Sequence, residues 1–143
     1  MSTTTPTTTT AATAAAPTAS TALHWFEIPV HDLDRAQRAY ETVLGRPLRR
    51  EAMGPQVTLA VFEYAPECGC GGCLIVGAAG LQPGGSGALV YLNAEPSLDA
   101  AVGRAEGLGL RIDVPRVDLP GAMGAYAVII DTEGNRVGLH AQQ

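Results

Sequence analysis

Two side chains of this sequence could move a proton on a bound molecule. They are Glu27, in the first apolar run of the chain, and His140, close to its C-terminus. Successive residues of a β-strand point to opposite faces, so Glu27 shares one face with Trp25. We interpret Glu27 as a general base, a metal ligand or a hydrogen-bond acceptor, because a carboxylate facing inward is costly unless something uses it. The alternative is a carboxylate that is solvated or paired with an arginine such as Arg136.

His140 lies on the same strand face as Arg136 and Gly138, which are four and two residues away. One carboxylate and one imidazole suit proton abstraction next to a carbonyl group. The alternative for His140 is a partly exposed histidine at the end of a strand, where chains fray.

Three cysteines lie within six residues, at Cys68, Cys70 and Cys73, and glycines separate them. Such spacing is compatible with a soft metal ion or a redox pair, because glycine permits the tight backbone turns that wrapping requires. A structural zinc site needs a fourth ligand, and the sequence has no second cysteine pair. The alternative is a glycine-rich hairpin tip with incidental thiols.

Composition excludes several kinds of function. The net charge is −5, whereas nucleic-acid binding requires clustered basic side chains. Every basic residue is arginine, which excludes a Schiff-base lysine and the lysine of a phosphate-binding loop. No apolar run approaches the roughly 20 residues that cross a bilayer. We therefore expect no nucleic-acid partner and no membrane partner.

Residues 1–21 consist almost wholly of Thr, Ala and Pro. They carry no charge and no apolar periodicity, so we predict a disordered tail. They also lack the basic and apolar regions of a secretory signal, and the expected location is the cytoplasm, with reduced thiols.

The remaining chain reads as one unit written twice. Leu33-Asp34-x-Ala36 matches Leu98-Asp99-x-Ala101 at an offset of 65 residues. In each copy a strand precedes a helix, and further strands follow it. The predicted elements are strands at 23–30, 57–64, 73–76, 88–93, 110–114, 125–130 and 136–140, and helices at 33–44 and 98–108. Neither half can bury its apolar face alone, so the two sheets should pack together and enclose a concave ligand site.

Two stretches carry a resemblance to a known family. They are WFEIPVHDLDRA at residues 25–36, with Tyr40 and Leu44-Gly45, and DTEGNRVGLH at residues 131–140. With these the chain resembles the vicinal oxygen chelate superfamily of glyoxalases, bleomycin resistance proteins and ring-cleaving dioxygenases. The resemblance covers about residues 22–142. It implies an α+β domain of two βαβββ modules, at about 22–79 and 87–142, that form a half-open β cup, usually completed by a second subunit.

The resemblance also implies four inward positions that hold a divalent metal in many members. In this chain they fall on or near Trp25, Ile75, Leu89 and Gly138, none of which can bind a metal ion. A metal cofactor is therefore not supported at these positions. In its place Glu27 and His140 could converge with the ligand-binding candidates Trp25, Tyr91, Asn93 and Arg136.

Two functions remain open at this point. The first is a glyoxalase-like enzyme of the lyase or isomerase type, with Glu27 as base or ligand. The second is a protein of the bleomycin-resistance type that sequesters a drug or metabolite without catalysis. Both predict a small-molecule ligand and a homodimer.

Overall fold

The structure is a computed structural model that describes residue 6 and residues 22–67 and 69–143. The described residues form two βαβββ modules, in the α+β arrangement that the sequence predicts. The first module contains β1 (Trp25–Pro29), α1 (Leu33–Leu44), β2 (Leu48–Met53), β3 (Val57–Phe62) and β4 (Gly71–Val76). The second contains β5 (Tyr91–Asn93), α2 (Leu98–Gly107), β6 (Arg111–Asp118), β7 (Ala125–Ile130) and β8 (Arg136–Ala141). The predicted tail, residues 1–21, lies outside the described residues except for Pro6.

Helix α1 has the predicted bounds, and both of its ends are capped. The Asp32 side chain accepts a hydrogen bond from the backbone N–H of Arg35 at 2.9 Å, as an N-cap should. Gly45 ends the helix in the left-handed conformation, with φ at 67°. The apolar stripe of the helix is buried, and it includes Leu33, Ala36, Tyr40, Val43 and Leu44. Helix α2 follows the same plan, with Ser97 as its N-cap.

The strand predictions differ most from the structure in three places. Strand β2 was not predicted, because only Leu48 of its residues is buried and an edge strand of this kind shows no apolar alternation. Strand β6 runs four residues beyond its predicted end at Val114, through Pro115 and an irregular pairing register. Strand β5 begins only at Tyr91, three residues after its predicted start.

The strands form two open four-stranded sheets, in the orders β1-β4-β3-β2 and β5-β8-β7-β6. In each sheet the first strand runs parallel to the last strand of its module, and the other pairs are antiparallel. One core cluster contains the helix-facing residues of both sheets together with the two helices. The two modules therefore share a single core on the helix side. No helix of the described residues is long and apolar enough to cross a membrane.

Candidate functional site

The side of the first sheet that faces away from the helices carries the first candidate, Glu27. We call this side the first cup face. Strand pairing places Glu27 beside Cys73, and a separate apolar cluster of Leu59, Val61, Cys73 and Ile75 covers the same face. Glu27 is exposed, and within the described residues its carboxylate makes no hydrogen bond or ion pair. Trp25 is on the same face, 37% exposed, with its ring edge-on to Tyr64 at 6.0 Å between centroids.

The described thiols do not form one site. Cys73 is fully buried on the first cup face, whereas Cys70 is half-buried and its Sγ donates to the Gly71 carbonyl at 3.1 Å. Burial, and then the negative charge of Glu27, raise the pKa of the Cys73 thiol to about 11. Cys73 is therefore a protonated, poorly nucleophilic thiol near neutral pH. Cys68 lies outside the described residues.

The second cup face is the corresponding side of the second sheet. It carries Tyr91, Asn93, Arg136, Gly138 and His140. Arg136 Nε donates to Asp113 Oδ2 at 2.7 Å, so its partner is Asp113 and not Glu27. His140 Nε2 is hydrogen-bonded to the Met123 carbonyl at 2.7 Å.

The Tyr91 ring packs closely against Gly138 of β8. A Cβ placed on Gly138 would lie 2.3 Å from Cδ1 of the Tyr91 ring, so glycine is what allows the close approach. Tyr91 is nevertheless 49% exposed, and its ring meets that of Tyr126 edge-on at 5.6 Å between centroids.

Glu27 and His140 have no direct contact in this structure. Among the described residues no hydrogen bond or ion pair joins them. Neither residue lines the cavity between the modules that is described below. Their convergence on one ligand stays a prediction.

The metal-binding chemistry of the superfamily does not fit these residues. Trp25, Ile75, Leu89 and Gly138 offer no ligand atom, and in the described part of the chain no three His, Cys, Asp or Glu side chains lie together. These side chains therefore do not support a reaction through a metal ion at the four positions.

The large cavity lies between the modules and has a volume of about 910 Å³. Its walls are the start of β1, the segment after α1, the connection from β3 to β4, and residues 88–93 leading into β5. Aromatic and aliphatic side chains dominate the lining, and they include Phe26, Leu48, Phe62, Tyr64, Leu89 and Tyr91. Polar groups come from Arg46, Glu63 and Asn93. Of the predicted site residues, Tyr91, Asn93, Leu89 and Cys70 line this cavity.

The opposite junction between the modules is closed by the turn between β7 and β8. Glu133 Oε1 accepts from the backbone N–H groups of His31 and Asp32 at 3.0 and 2.8 Å, and Oε2 accepts from Arg35 Nε at 2.8 Å. Burial alone would raise the pKa of Glu133, but the hydrogen bonds from Arg35, Thr132 and those two N–H groups outweigh it and lower the pKa to about 2. The carboxylate thus anchors the second module to the N-terminus of α1.

Asp131 and Asn135 complete this closed junction. The hydroxyl of the buried Tyr40 donates to Asp131 Oδ2 at 2.6 Å, and Asn135 Nδ2 donates to the Pro29 carbonyl at 2.8 Å. Burial, and then the charge of Asp131, raise the pKa of Tyr40 well above its usual value. Sequence reasoning predicted the turn but missed this role. The signal available was the density of polar residues at 131–135 between two apolar strands.

Comparison with known proteins confirms the fold. No family model matches the chain, and no curated protein matches it. Among solved structures, the trypanothione-dependent glyoxalase I of Leishmania major is 23% identical, with a TM-score of 0.62 over 86% of this chain and 88% of the other. A glyoxalase/bleomycin resistance protein from Streptomyces sp. CB03234 is 24% identical, with a TM-score of 0.59 over 83% and 99%.

The chain has the vicinal oxygen chelate fold. A third solved structure, the fosfomycin resistance protein FosX from Listeria monocytogenes, agrees at 16% identity, with a TM-score of 0.58 over 85% of this chain and 90% of the other. At these identities the likeness establishes the fold alone. The function has to be argued from this chain's own residues.

Proposed function

We propose that this protein binds a small, largely apolar organic molecule in the cavity between its modules and sequesters it without metal-dependent catalysis. The observation that carries the proposal is the cavity itself. Its volume of about 910 Å³ falls in the range of small-molecule sites, and few polar groups interrupt its aromatic and aliphatic walls. The name of the Streptomyces structure, a glyoxalase/bleomycin resistance protein, is compatible with the binding of a small molecule.

Two further elements belong to this proposal. We propose a homodimer, because Trp25 and Tyr91 expose 37% and 49% of their surfaces on the two cup faces, and a second copy would cover them. A reducing compartment such as the cytoplasm is also proposed, in keeping with the free thiols of Cys70 and Cys73.

The second candidate is an enzyme in which Glu27 acts as a general base. It is favoured by the position of Glu27, exposed beside Trp25 without a partner among the described residues. His140 would then have to be supplied by the cup face of a second copy, since no contact joins the two residues within one chain. This candidate requires a substrate on the cup faces and not in the cavity.

Probe binding discriminates between the two candidates. We expect N-phenyl-1-naphthylamine, a neutral aromatic fluorophore, to bind with one site per chain. Leu89→Trp, which fills the cavity, should weaken this binding at least about tenfold, the loss expected when a buried apolar site is occluded. Leu81→Trp is the control, because Leu81 is exposed outside the cavity lining.

Two results would count against sequestration. One is probe binding that Leu89→Trp leaves unchanged. The other is a stoichiometric metal ion in purified protein that Glu27→Gln removes, which would favour the enzyme. Light scattering after gel filtration tests the homodimer, and a monomeric mass at micromolar concentration would exclude it.

A further inference from the structure

The three arginines that follow α1 have different environments. Arg49 is paired with Glu51, and Arg50 with Asp34 and Gln37, all at the surface of the first module. Arg46 is half-buried, lines the cavity, and donates from Nη2 to the backbone carbonyl of Asn93. Two of the three cations are thus neutralised on the surface, and the third is held at the cavity wall.

Arg46 has no anionic partner in the described part of the chain. Its recorded contact is a neutral carbonyl, which uses one of the five guanidinium N–H donors. It is not needed to cap α1 either, because Arg104 Nε donates to the Val43 carbonyl at 3.0 Å at that helix end. A guanidinium that faces an apolar cavity with donors to spare is a binding partner for a carboxylate, sulfonate or phosphate group.

Among the described residues that line the cavity there is one carboxylate. Glu63 lines it from the end of β3, and it is exposed and forms no ion pair with Arg46 or with another described residue. The carboxylate is therefore a solvated group at the rim, while the guanidinium is the more buried charge. Charges interact more strongly where water is excluded. The attraction between an anionic ligand and Arg46 should therefore exceed the repulsion between that ligand and Glu63.

We propose that the cavity selects an aromatic or aliphatic acid, with Arg46 as the residue that binds the anionic group of the ligand. This proposal rests on the cavity's being the ligand site, as proposed above. The apolar walls contribute affinity, and Arg46 contributes selectivity for the anion over a neutral molecule of the same shape.

Two fluorophores that differ by one sulfonate group test the proposal. 8-Anilinonaphthalene-1-sulfonate is the anion, and N-phenyl-1-naphthylamine is its neutral counterpart. Arg46→Gln, which removes the positive charge and keeps a polar side chain, should weaken binding of the anion about tenfold and that of the neutral probe less than about twofold. Arg49→Gln and Arg50→Gln are the matched controls and should change neither.

A second variant keeps the test independent of any structural effect of Arg46→Gln. Glu63→Gln should strengthen anion binding by about twofold to fivefold through loss of repulsion, with the neutral probe unchanged. Suppose that the neutral probe binds the wild-type protein, and that Arg46→Gln weakens the binding of both probes equally or changes the binding of neither. The cavity then remains the ligand site, but the assignment of Arg46 is wrong. If neither probe binds the wild-type protein, the proposed function and this inference both fail.

Discussion

The ion-pair anchor of Glu133 makes a quantitative prediction about stability. The Glu133 side chain has no solvent exposure, and its two oxygens accept hydrogen bonds from Arg35 and from the N-terminus of α1. Its pKa falls from 4.5 to about 2 on folding. Because one pKa unit corresponds to about 1.4 kcal/mol, this difference amounts to about 3 kcal/mol of folding free energy at neutral pH.

The sign of the pH dependence follows from the lowered pKa. A carboxyl group that binds protons more weakly in the folded state stabilises it above its unfolded pKa of about 4.5 and loses that contribution as the pH falls to about 2. Glu133→Gln should therefore lower the free energy of unfolding by about 3 kcal/mol at pH 7. The difference from the wild-type protein should shrink progressively between pH 5 and pH 2.

Urea unfolding followed by circular dichroism at a series of pH values measures both quantities. Glu106→Gln is the matched control, since Glu106 is exposed on α2 and its side chain makes no hydrogen bond or ion pair with the described residues. It should change stability by less than about 0.5 kcal/mol at every pH. A loss in Glu133→Gln below about 1 kcal/mol at pH 7, or one that is the same at pH 7 and pH 3, would refute the reasoning.

Two further predictions concern glycine and cysteine. Gly138→Ala should displace the Tyr91 ring and lower the free energy of unfolding, measured with urea, by about 1–3 kcal/mol. The control is Gly103→Ala in α2, which should raise that free energy by about 0.5–1 kcal/mol, because nothing lies within 4 Å of the added Cβ. Equal effects of the two substitutions would contradict the packing of Tyr91 on Gly138. Iodoacetamide at pH 8 should label Cys70 well before Cys73, as measured by mass spectrometry of the peptides. The reason is that Cys73 is buried, and that burial and the charge of Glu27 raise the pKa of its thiol to about 11. Comparable labelling rates would show that Cys73 is accessible.

The fold was predictable because local signals agreed with the global pattern. Asp32, Gly45 and Ser97 set the helix ends, and the internal repeat indicated two modules. The edge strand β2 escaped prediction because its residues Arg49 and Arg50 are exposed, so the alternation that marks a half-buried strand is missing.

The candidate site was less predictable, and the reason is geometric. Alternation correctly placed Glu27 on the strand face opposite the core, but alternation within one strand says nothing about which sheet faces which. The cavity depends on the approach of residues 62–65 and 69–72 to residues 88–93, and these stretches are adjacent neither in sequence nor in sheet pairing. Arg46 could be singled out as a charge near α1, but its direction into the cavity comes from the Asn93 carbonyl across the module boundary.

The duplicated architecture accounts for the cavity. The two modules share an equivalent hydrogen bond just after their first strands. Val30 N–H donates to the Ile75 carbonyl after β1, and Ala94 N–H donates to the His140 carbonyl after β5. The turn between β7 and β8 then closes against the start of α1 through Glu133. Among the described residues, the corresponding connection between β3 and β4 makes no such contact with the start of α2. At that helix start Ser97 Oγ accepts a hydrogen bond from the Ala100 N–H instead.

One junction of the repeat is thus closed by carboxylate and amide side chains, and the other is left open. Residues 69–72 and 88–93 line the open junction, and these residues, mostly glycine and apolar, do not fill it. A ligand in the cavity would occupy the place that polar side chains occupy at the closed junction. Ligand binding should then stabilise the contact between the modules, since the same molecule would touch the β3 to β4 connection and β5 at once.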